Sequence, residues 1–247
     1  FLYGDGVYEV IPVFAGRYLG LQKHMDRLRN SLGRISLHNP LPVDQWQQVF
    51  DRLLELNPGD DRAIYLQVTR GAYKKRDLST NPDYPPTVFC MVLHVPHAAG
   101  ESVRRGISVI TTDDFRWHAC DIKSVSLVAN VMLRQQATDA GADDAIMVRN
   151  AMVTEGTASN VFIVKDGLIL TPPTGKQLLA GITRDLVIEI AQKNHILLEE
   201  RDLRESELWD ADEIWMTSST REIAPVISLN GEAVGNGKPG PVWDKVI

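Results

Sequence analysis

Apolar residues crowd the stretch from Val7 to Phe14, with β-branched types prominent, and Ala15-Gly16-Arg17 turns the chain, which predicts an opening strand. Beyond the turn the spacing changes. Leu21, Met25, Leu28, Leu32 and Ile35 recur at helical intervals through LQKHMDRLRNSLGRI. With Met25 and Leu32 taken as the buried stripe, the 100° step per residue puts Arg27 on the far side of that helix, so periodicity alone predicts a solvated arginine. A second helix is predicted over residues 44–56, closed by Asn57-Pro58-Gly59, and strands over 63–69 and 88–95. Between those strands lies the polar run GAYKKRDLSTNPDYPP, a loop long enough to suggest a functional rather than an idle connection.

The composition shifts at Val95-Pro-His-Ala-Ala-Gly100, which marks the expected domain boundary: a small N-terminal domain over 1–97 and a larger one over 98–247. The pattern after it predicts a strand at 106–112, a helix at 127–140, and strands at 145–148, around Val153, and at 161–165. Lys165-Asp166-Gly167 is a hairpin signal; a helix is predicted from Thr183 to Asn194 and late strands at 213–217 and 226–229. Strands and helices interleave throughout, so the fold class is α/β, or α+β, in two lobes, with no internal repeat.

The whole-chain properties narrow the function classes. At 247 residues, 44% hydrophobic and 23% charged, the chain has ordinary globular composition with enough length for two cores. A formal charge of −6 gives no footprint for nucleic acid or an anionic membrane, and the basic residues are scattered apart from short runs such as Lys74-Lys75-Arg76. Cys90 and Cys120 match neither a disulfide framework nor a metal-ligand spacing, so a reducing cytoplasm is expected and no metal. No apolar run approaches membrane-spanning length. The chain starts at Phe1 directly in a strand-like run, and residues are expected to be missing from both ends.

Four stretches could carry chemistry. Lys123, in CDIKSVSLVAN, has few charged neighbours, and an amine desolvated by flanking apolar residues can act as a nucleophile toward carbonyls; a lysine snorkelling from a strand end would leave the same trace. Glu155, in VTEGTASNVF, precedes a glycine that lets the backbone turn and aim the carboxylate inward. A carboxylate facing a pyridine nitrogen keeps it protonated and makes the ring an electron sink; an exposed hairpin glutamate is the alternative. Gly181-Ile182-Thr183-Arg184 opens a predicted helix, whose free N–H groups suit a phosphate, although Thr183 could serve only as the helix cap. Thr217-Ser218-Ser219-Thr220 ends a strand with four hydroxyls, suited to a phosphate or to a plain turn.

GDGVYEV at 4–10, HMDRLRNSL at 24–32, CDIKS at 120–124, TEGTASNVF at 154–162, LAGITRD at 179–185 and TSSTREIAPV at 217–226 occur in that order across essentially the whole chain. Together they resemble the pyridoxal-phosphate aminotransferases of fold type IV. The wording is most similar to D-amino acid aminotransferases, with branched-chain aminotransferases next and aminodeoxychorismate lyases third. The resemblance implies a small N-terminal α/β domain, a larger C-terminal domain with a barrel-like sheet, pyridoxal 5'-phosphate as cofactor, and a homodimer in which the neighbour's 71–79 loop touches each pocket.

It also implies roles. Lys123 would hold the cofactor covalently and move the substrate's proton, and Glu155 would pair with the pyridine nitrogen. Arg27 would bind the phosphate, against the reading from periodicity. Ile182 and Thr183 would add donors to the same phosphate, with Ser219 and Thr220 completing the cup, and Leu179 would pack on the ring. Tyr8 would line the substrate pocket near the carboxylate.

One departure concerns the loop 71–79. D-specific members carry Arg-x-His there, whereas this chain runs Gly71-Ala-Tyr-Lys-Lys-Arg-Asp-Leu-Ser79. With one residue inserted, Arg76 takes the arginine position and Leu78 that of the histidine; with none, Lys75 and Asp77 fall there. The expected reaction is transfer of an amino group between a D-amino acid of the alanine, glutamate or aspartate type and a 2-oxo acid, in two half-reactions. A branched-chain L-aminotransferase and a lyase of the aminodeoxychorismate type are the alternatives.

Overall fold

A computed structural model describes residues 3–72, 76–79, 84–95 and 105–247. The predicted boundary at 95–100 lies mostly outside the described residues, as do Tyr73, Lys74 and Lys75 of the loop. Two compact units are present, one of residues 1–97 with 122–127 and the other of 98–121 with 128–247.

In the first unit, β1 (Gly6–Phe14), β2 (Arg17–Tyr18), β3 (Asp61–Thr69) and β4 (Thr87–His94) form an antiparallel sheet in the order β2-β1-β3-β4. Strands β1 and β2 are joined by Ala15 and Gly16, both at positive φ, as a two-residue hairpin requires. Along β1, Val7, Ile11 and Val13 are fully buried at alternate positions, and Glu9 falls on that same core-facing side. Helix α1 (Leu21–Arg34) packs on β1 through Met25, Leu28 and Leu32, and α2 (Val43–Leu56) buries Trp46 and Phe50, whose rings stack 5.9 Å apart. Because β2 is short, most of one edge of β1 has no full strand beside it. Residues 122–127 lie there: the Tyr8 amide donates to the Lys123 carbonyl at 3.0 Å and the Val125 amide to the Gly6 carbonyl at 3.0 Å.

The second unit is built on a nine-stranded sheet: β5 (Ile107–Asp113), β6 (Asp144–Arg149), β7 (Met152–Gly156), β8 (Asn160–Lys165), β9 (Leu168–Thr171), β10 (Leu198–Glu200), β11 (Glu213–Ser218), β12 (Glu222–Leu229) and β13 (Glu232–Ala233). The order is β10-β9-β8-β11-β12-β5-β6-β7, with β13 on β12. In β8, Val161 and Ile163 enter one core and Phe162 and Val164 another, so both faces are covered, which explains an apolar run without alternation. The first core joins Val153 of β7 to Ile163 of β8 and Leu170 of β9, strands from opposite ends of the order, so the sheet curls into a half-barrel. Between β5 and β6 runs α3 (Val128–Asp139). The outer core is closed by α4 (Ile182–Lys193) and the short α5 (Trp243–Val246). Glu213 anchors α5, accepting from the Val242 and Trp243 amides at 2.8 and 3.0 Å.

The hairpin read at Lys165-Asp166-Gly167 joins β8 to β9, with φ of 50° at Asp166 and 78° at Gly167. Strands β2, β10 and β13 and helix α5 are two to four residues long, too short to show a periodic pattern.

Candidate active site

In the second unit, β7 carries Glu155 into the interior, 5% exposed, and not to a solvated hairpin edge. Its Oε1 accepts from Arg116 Nη1 at 2.5 Å; its Oε2 accepts from the Leu179 amide at 2.9 Å and, weakly, from Asn160 Nδ2 at 3.5 Å. Asn160 also donates to the Leu179 carbonyl at 2.8 Å, so β7, β8 and the chain before α4 are pinned to one another. The opposing side of Arg116 is gripped by Asp114, through Nε and Nη2 at 2.9 Å each. Thr154 Oγ1 donates to Asp114 at 2.8 Å and Arg149 approaches it at 3.0 Å. Burial pushes the Glu155 carboxyl above the ordinary range, and the Arg116 charge and the hydrogen bonds from Arg116 and Leu179 oppose it. At Asp114 burial also acts upward, but hydrogen bonds and charge from Arg116, with Thr154, outweigh it and hold the group low.

Leu179 and the start of α4 follow directly. Gly181, not Thr183, is the N-cap; no side chain caps the turn, and Thr183 is a buried residue of the helix itself. Ile182 and Thr183 therefore sit in the first turn, where N–H groups have no intrahelical acceptor. A Cβ at Gly181 would strike Asn160 Oδ1, so glycine is required by the approach of β8. Ser219 and Thr220 are half-buried at the β11–β12 turn. A cleft of about 160 Å³ beside that turn is lined by Arg134, Asp144, Ser159, Ser218, Thr220 and Arg221 among others. Buried Asp144 pairs with Arg134 at 2.7 Å and Arg221 at 3.3 Å and accepts from Thr157 at 2.5 Å, which ties both flanking turns to one carboxylate.

In the first unit, Lys123 is half-buried and its Nζ lies 4.2 Å from the centre of the Tyr8 ring, a cation–π distance. The Lys123 amide is also held, by Ser31 Oγ of α1 at 3.3 Å. Arg27 is not a solvated residue: its side chain is 10% exposed and grips Glu9 in a fork, Nε to Oε1 at 2.9 Å and Nη2 to Oε2 at 2.8 Å. The buried face of α1 includes His24 and Ser31 besides Met25, Leu28 and Leu32, and Arg27 lies three residues from the first and four from the second. Reading the stripe from apolar residues alone put its centre too far from Arg27. His24 Nδ1 lies 2.8 Å from Glu9 Oε2; burial pushes its pKa down, so the neutral ring donates from Nδ1 to the carboxylate. Burial would raise Glu9, yet Arg27 and His24 together bring it to about 2. Arg76 places its guanidinium 5.7 Å from the Tyr3 ring centre.

The structure thus groups Tyr8, Lys123 and the Glu9-bound Arg27 in one unit, and Glu155, Leu179, Ile182 and Thr183 in the other. Glu9, His24, Asp114, Arg116 and Asn160 went unassigned in the sequence. Glu9 had a legible signal, a charge on the core-facing register of an apolar strand, which requires a buried partner. Asp114 and Arg116 had none, being two charges among several in TTDDFRW.

An uncapped helix start, adjacent hydroxyls and a buried carboxylate with acceptor capacity left match the two ends of a phosphorylated pyridine. Thr217 Oγ1 and Ser159 Oγ, buried without a hydrogen-bond partner among the described residues, are further polar atoms near the β11–β12 turn and the β7–β8 connection. No group of residues suited to a metal occurs among the described residues, and no helix there is long and apolar enough to cross a membrane.

A mixed-topology half-barrel with a buried glutamate on one strand and an open helix start nearby defines a cofactor-dependent group-transfer enzyme. Residues 6–229 match the family described as amino-transferase class IV, and the chain belongs to it. It is a pyridoxal-phosphate-dependent transaminase of fold type IV. A D-alanine aminotransferase of Bacillus licheniformis is 38% identical over 245 residues, covering 99% of this chain and 86% of that one. Another from Staphylococcus aureus is 34% identical, covering 98% and 86%. Among solved structures, a branched-chain amino acid aminotransferase from Escherichia coli superposes with a TM-score of 0.88 at 25% identity, covering 99% of this chain and 83% of that one. A hypothetical aminotransferase from Mycobacterium tuberculosis in its PLP-bound form gives 0.84 at 29%, covering 99% and 88%.

Proposed function

We propose that this transaminase moves the amino group of a D-amino acid of the alanine, glutamate or aspartate type to a 2-oxo acid. What supports the D-specific reading is the level of identity to D-alanine aminotransferases, 38% for the Bacillus licheniformis enzyme, against 25% for the branched-chain enzyme of Escherichia coli. The observation that carries the cofactor assignment is Glu155, buried and ringed by donors on both oxygens.

When bound, pyridoxal 5'-phosphate supplies an aldehyde that accepts the amino group and a ring that withdraws electrons from the substrate's α-carbon. Lys123 is the residue we assign to its covalent attachment and to proton transfer at that carbon; the Tyr8 ring beneath Nζ and the Ser31 bond to its amide limit where the amine travels. Glu155 would pair with the ring nitrogen, and Leu179 would pack on the ring. Arg27, its guanidinium plane preset by Glu9, would bind the phosphate, and the Ile182 and Thr183 donors and the Ser219 and Thr220 hydroxyls would serve it as well. Tyr8 and the partner's Arg76 would address the substrate carboxylate. The protein works as a homodimer in the cytoplasm, where free Cys90 and Cys120 remain reduced; Phe89 and Met91 of β4 and Val128, Val131 and Met132 of α3 are exposed apolar residues suited to a second copy.

Borohydride reduction of the loaded enzyme, followed by peptide mapping, tests the attachment: the pyridoxyl adduct is expected on Lys123, and an adduct on another lysine refutes the assignment. Turnover of Lys123→Ala is expected to fall by at least about 10²–10⁴-fold, the usual worth of positioned proton transfer. D-alanine and L-leucine compared as donors on the same preparation separate the D-specific from the branched-chain reading. Pyruvate release from aminodeoxychorismate without an amino acceptor would point to the lyase.

A further inference from the structure

Behind Glu155 stands a group of charges that the transamination chemistry itself does not call for. Asp114, Arg116 and Arg149 are each nearly closed off from solvent, with side-chain exposures of 0%, 5% and 9%. Two carboxylates, Asp114 and Glu155, face two guanidiniums, Arg116 and Arg149, so the cluster is neutral by formal charge. Arg116 is its centre: Nε and Nη2 are spent on Asp114, Nη2 also reaches the Gln177 carbonyl at 3.4 Å, and Nη1 alone reaches Glu155.

We propose that Arg116, locked in place by Asp114, is a positioning residue that keeps the proton of the cofactor's ring nitrogen on nitrogen instead of on Glu155. This inference rests on the reading that Glu155 pairs with that nitrogen. A carboxylate has about four lone-pair sites; among the described residues Arg116 takes one on Oε1, while the Leu179 amide and Asn160 take two on Oε2. One site therefore remains for a ring N–H. In a buried pair of carboxylate and pyridine the proton has two homes: on nitrogen, giving two charges, or on oxygen, giving none. Burial favours the neutral pair, because desolvation disfavours separated charge.

A guanidinium at 2.5 Å from Oε1 works against that preference by making the carboxylate a weaker base, even though burial leaves the group above its ordinary range. A neutral donor at the same place would offset less of the anion's desolvation than a full positive charge does. Asp114 in turn prevents Arg116 from leaving the site and balances its charge, and Thr154 and Arg149 hold Asp114. Electron withdrawal by the ring depends on the protonated nitrogen, so Arg116 governs the electron sink without touching the cofactor.

The test loads the enzyme with cofactor labelled by ¹⁵N in the ring and reads the nitrogen's chemical shift near neutral pH, which separates protonated from unprotonated pyridine. Wild type is expected to give the protonated signal, Arg116→Gln a signal displaced toward the unprotonated one, and Arg116→Lys, which restores the charge, a return most of the way. The kcat of Arg116→Gln should fall by roughly 10- to 100-fold with KM little changed. An Arg116→Gln signal identical to wild type, alongside a displaced signal in Glu155→Gln, overturns the role of Arg116 and leaves the pairing intact. A Glu155→Gln signal that matches wild type overturns the pairing itself. Infrared difference spectra of cofactor-free wild type against Glu155→Gln need no Arg116 variant: Arg116 is expected to hold Glu155 ionised, and a protonated carboxyl band from Glu155 in wild type at neutral pH overturns the proposal.

Discussion

Replacing Glu9 by glutamine removes one charge from the centre of the first unit and leaves its shape unchanged. Glu9 is fully buried, forked by Arg27 and bonded to His24. Its pKa falls from 4.5 to about 2, which at ~1.4 kcal/mol per pH unit corresponds to on the order of 3 kcal/mol of coupling. Removing one member of a buried pair costs about 3–5 kcal/mol, because the remaining charge stays buried without compensation. The two routes agree, and Glu9→Gln is expected to destabilise the unit by about 3 kcal/mol at neutral pH. The pH dependence follows from the direction of the shift. A carboxylate with a depressed folded-state pKa binds fewer protons folded than unfolded, so its contribution is complete above 4.5 and drains as pH falls toward about 2. The deficit of the variant should therefore shrink across that window, as wild type loses what the variant never had. Urea denaturation of the cofactor-free protein, followed by hydrogen exchange of β1 peptides, reports on this unit. A neutral-pH deficit below about 1 kcal/mol, or one that stays constant as the pH is lowered through the window, refutes the reasoning.

Gly181→Ala drives a Cβ into Asn160 Oδ1 and should cost about 1–3 kcal/mol while weakening cofactor affinity, read by thermal denaturation and cofactor titration; unchanged values in both would refute the close approach. Leu133→Ala, at a fully buried position of α3, is expected to lose about 2–5 kcal/mol in chemical denaturation. Val131→Asp, on the exposed side of that helix at 65% exposure, should leave the secondary structure intact and shift sedimentation toward the monomer; a dimer of wild-type affinity would rule out this face.

Local pattern carried far in this chain. The sequence by itself determined the main strands and helices, because the apolar, β-branched run of β1, helical spacing in α1 and Asp166-Gly167 at the β8–β9 turn are local matters of side-chain shape and direction and of backbone sterics. It also determined Lys123, Glu155 and the helix start at Gly181 as candidates, through short strings whose order resembles one family. It did not determine which polar residues are buried. Arg27 reads as solvated until Glu9, eighteen positions earlier, is seen on the core face of β1, and Arg116 reads as an ordinary charge until it meets Glu155 thirty-nine positions later. Thr183 reads equally as a cap or a phosphate donor until Gly181 is seen to hold the N-cap position. Only the tertiary structure decided these, for one physical reason. The energy of a buried charge depends on its partners across the fold and on the water they exclude, and neither is a property of neighbouring positions along the chain.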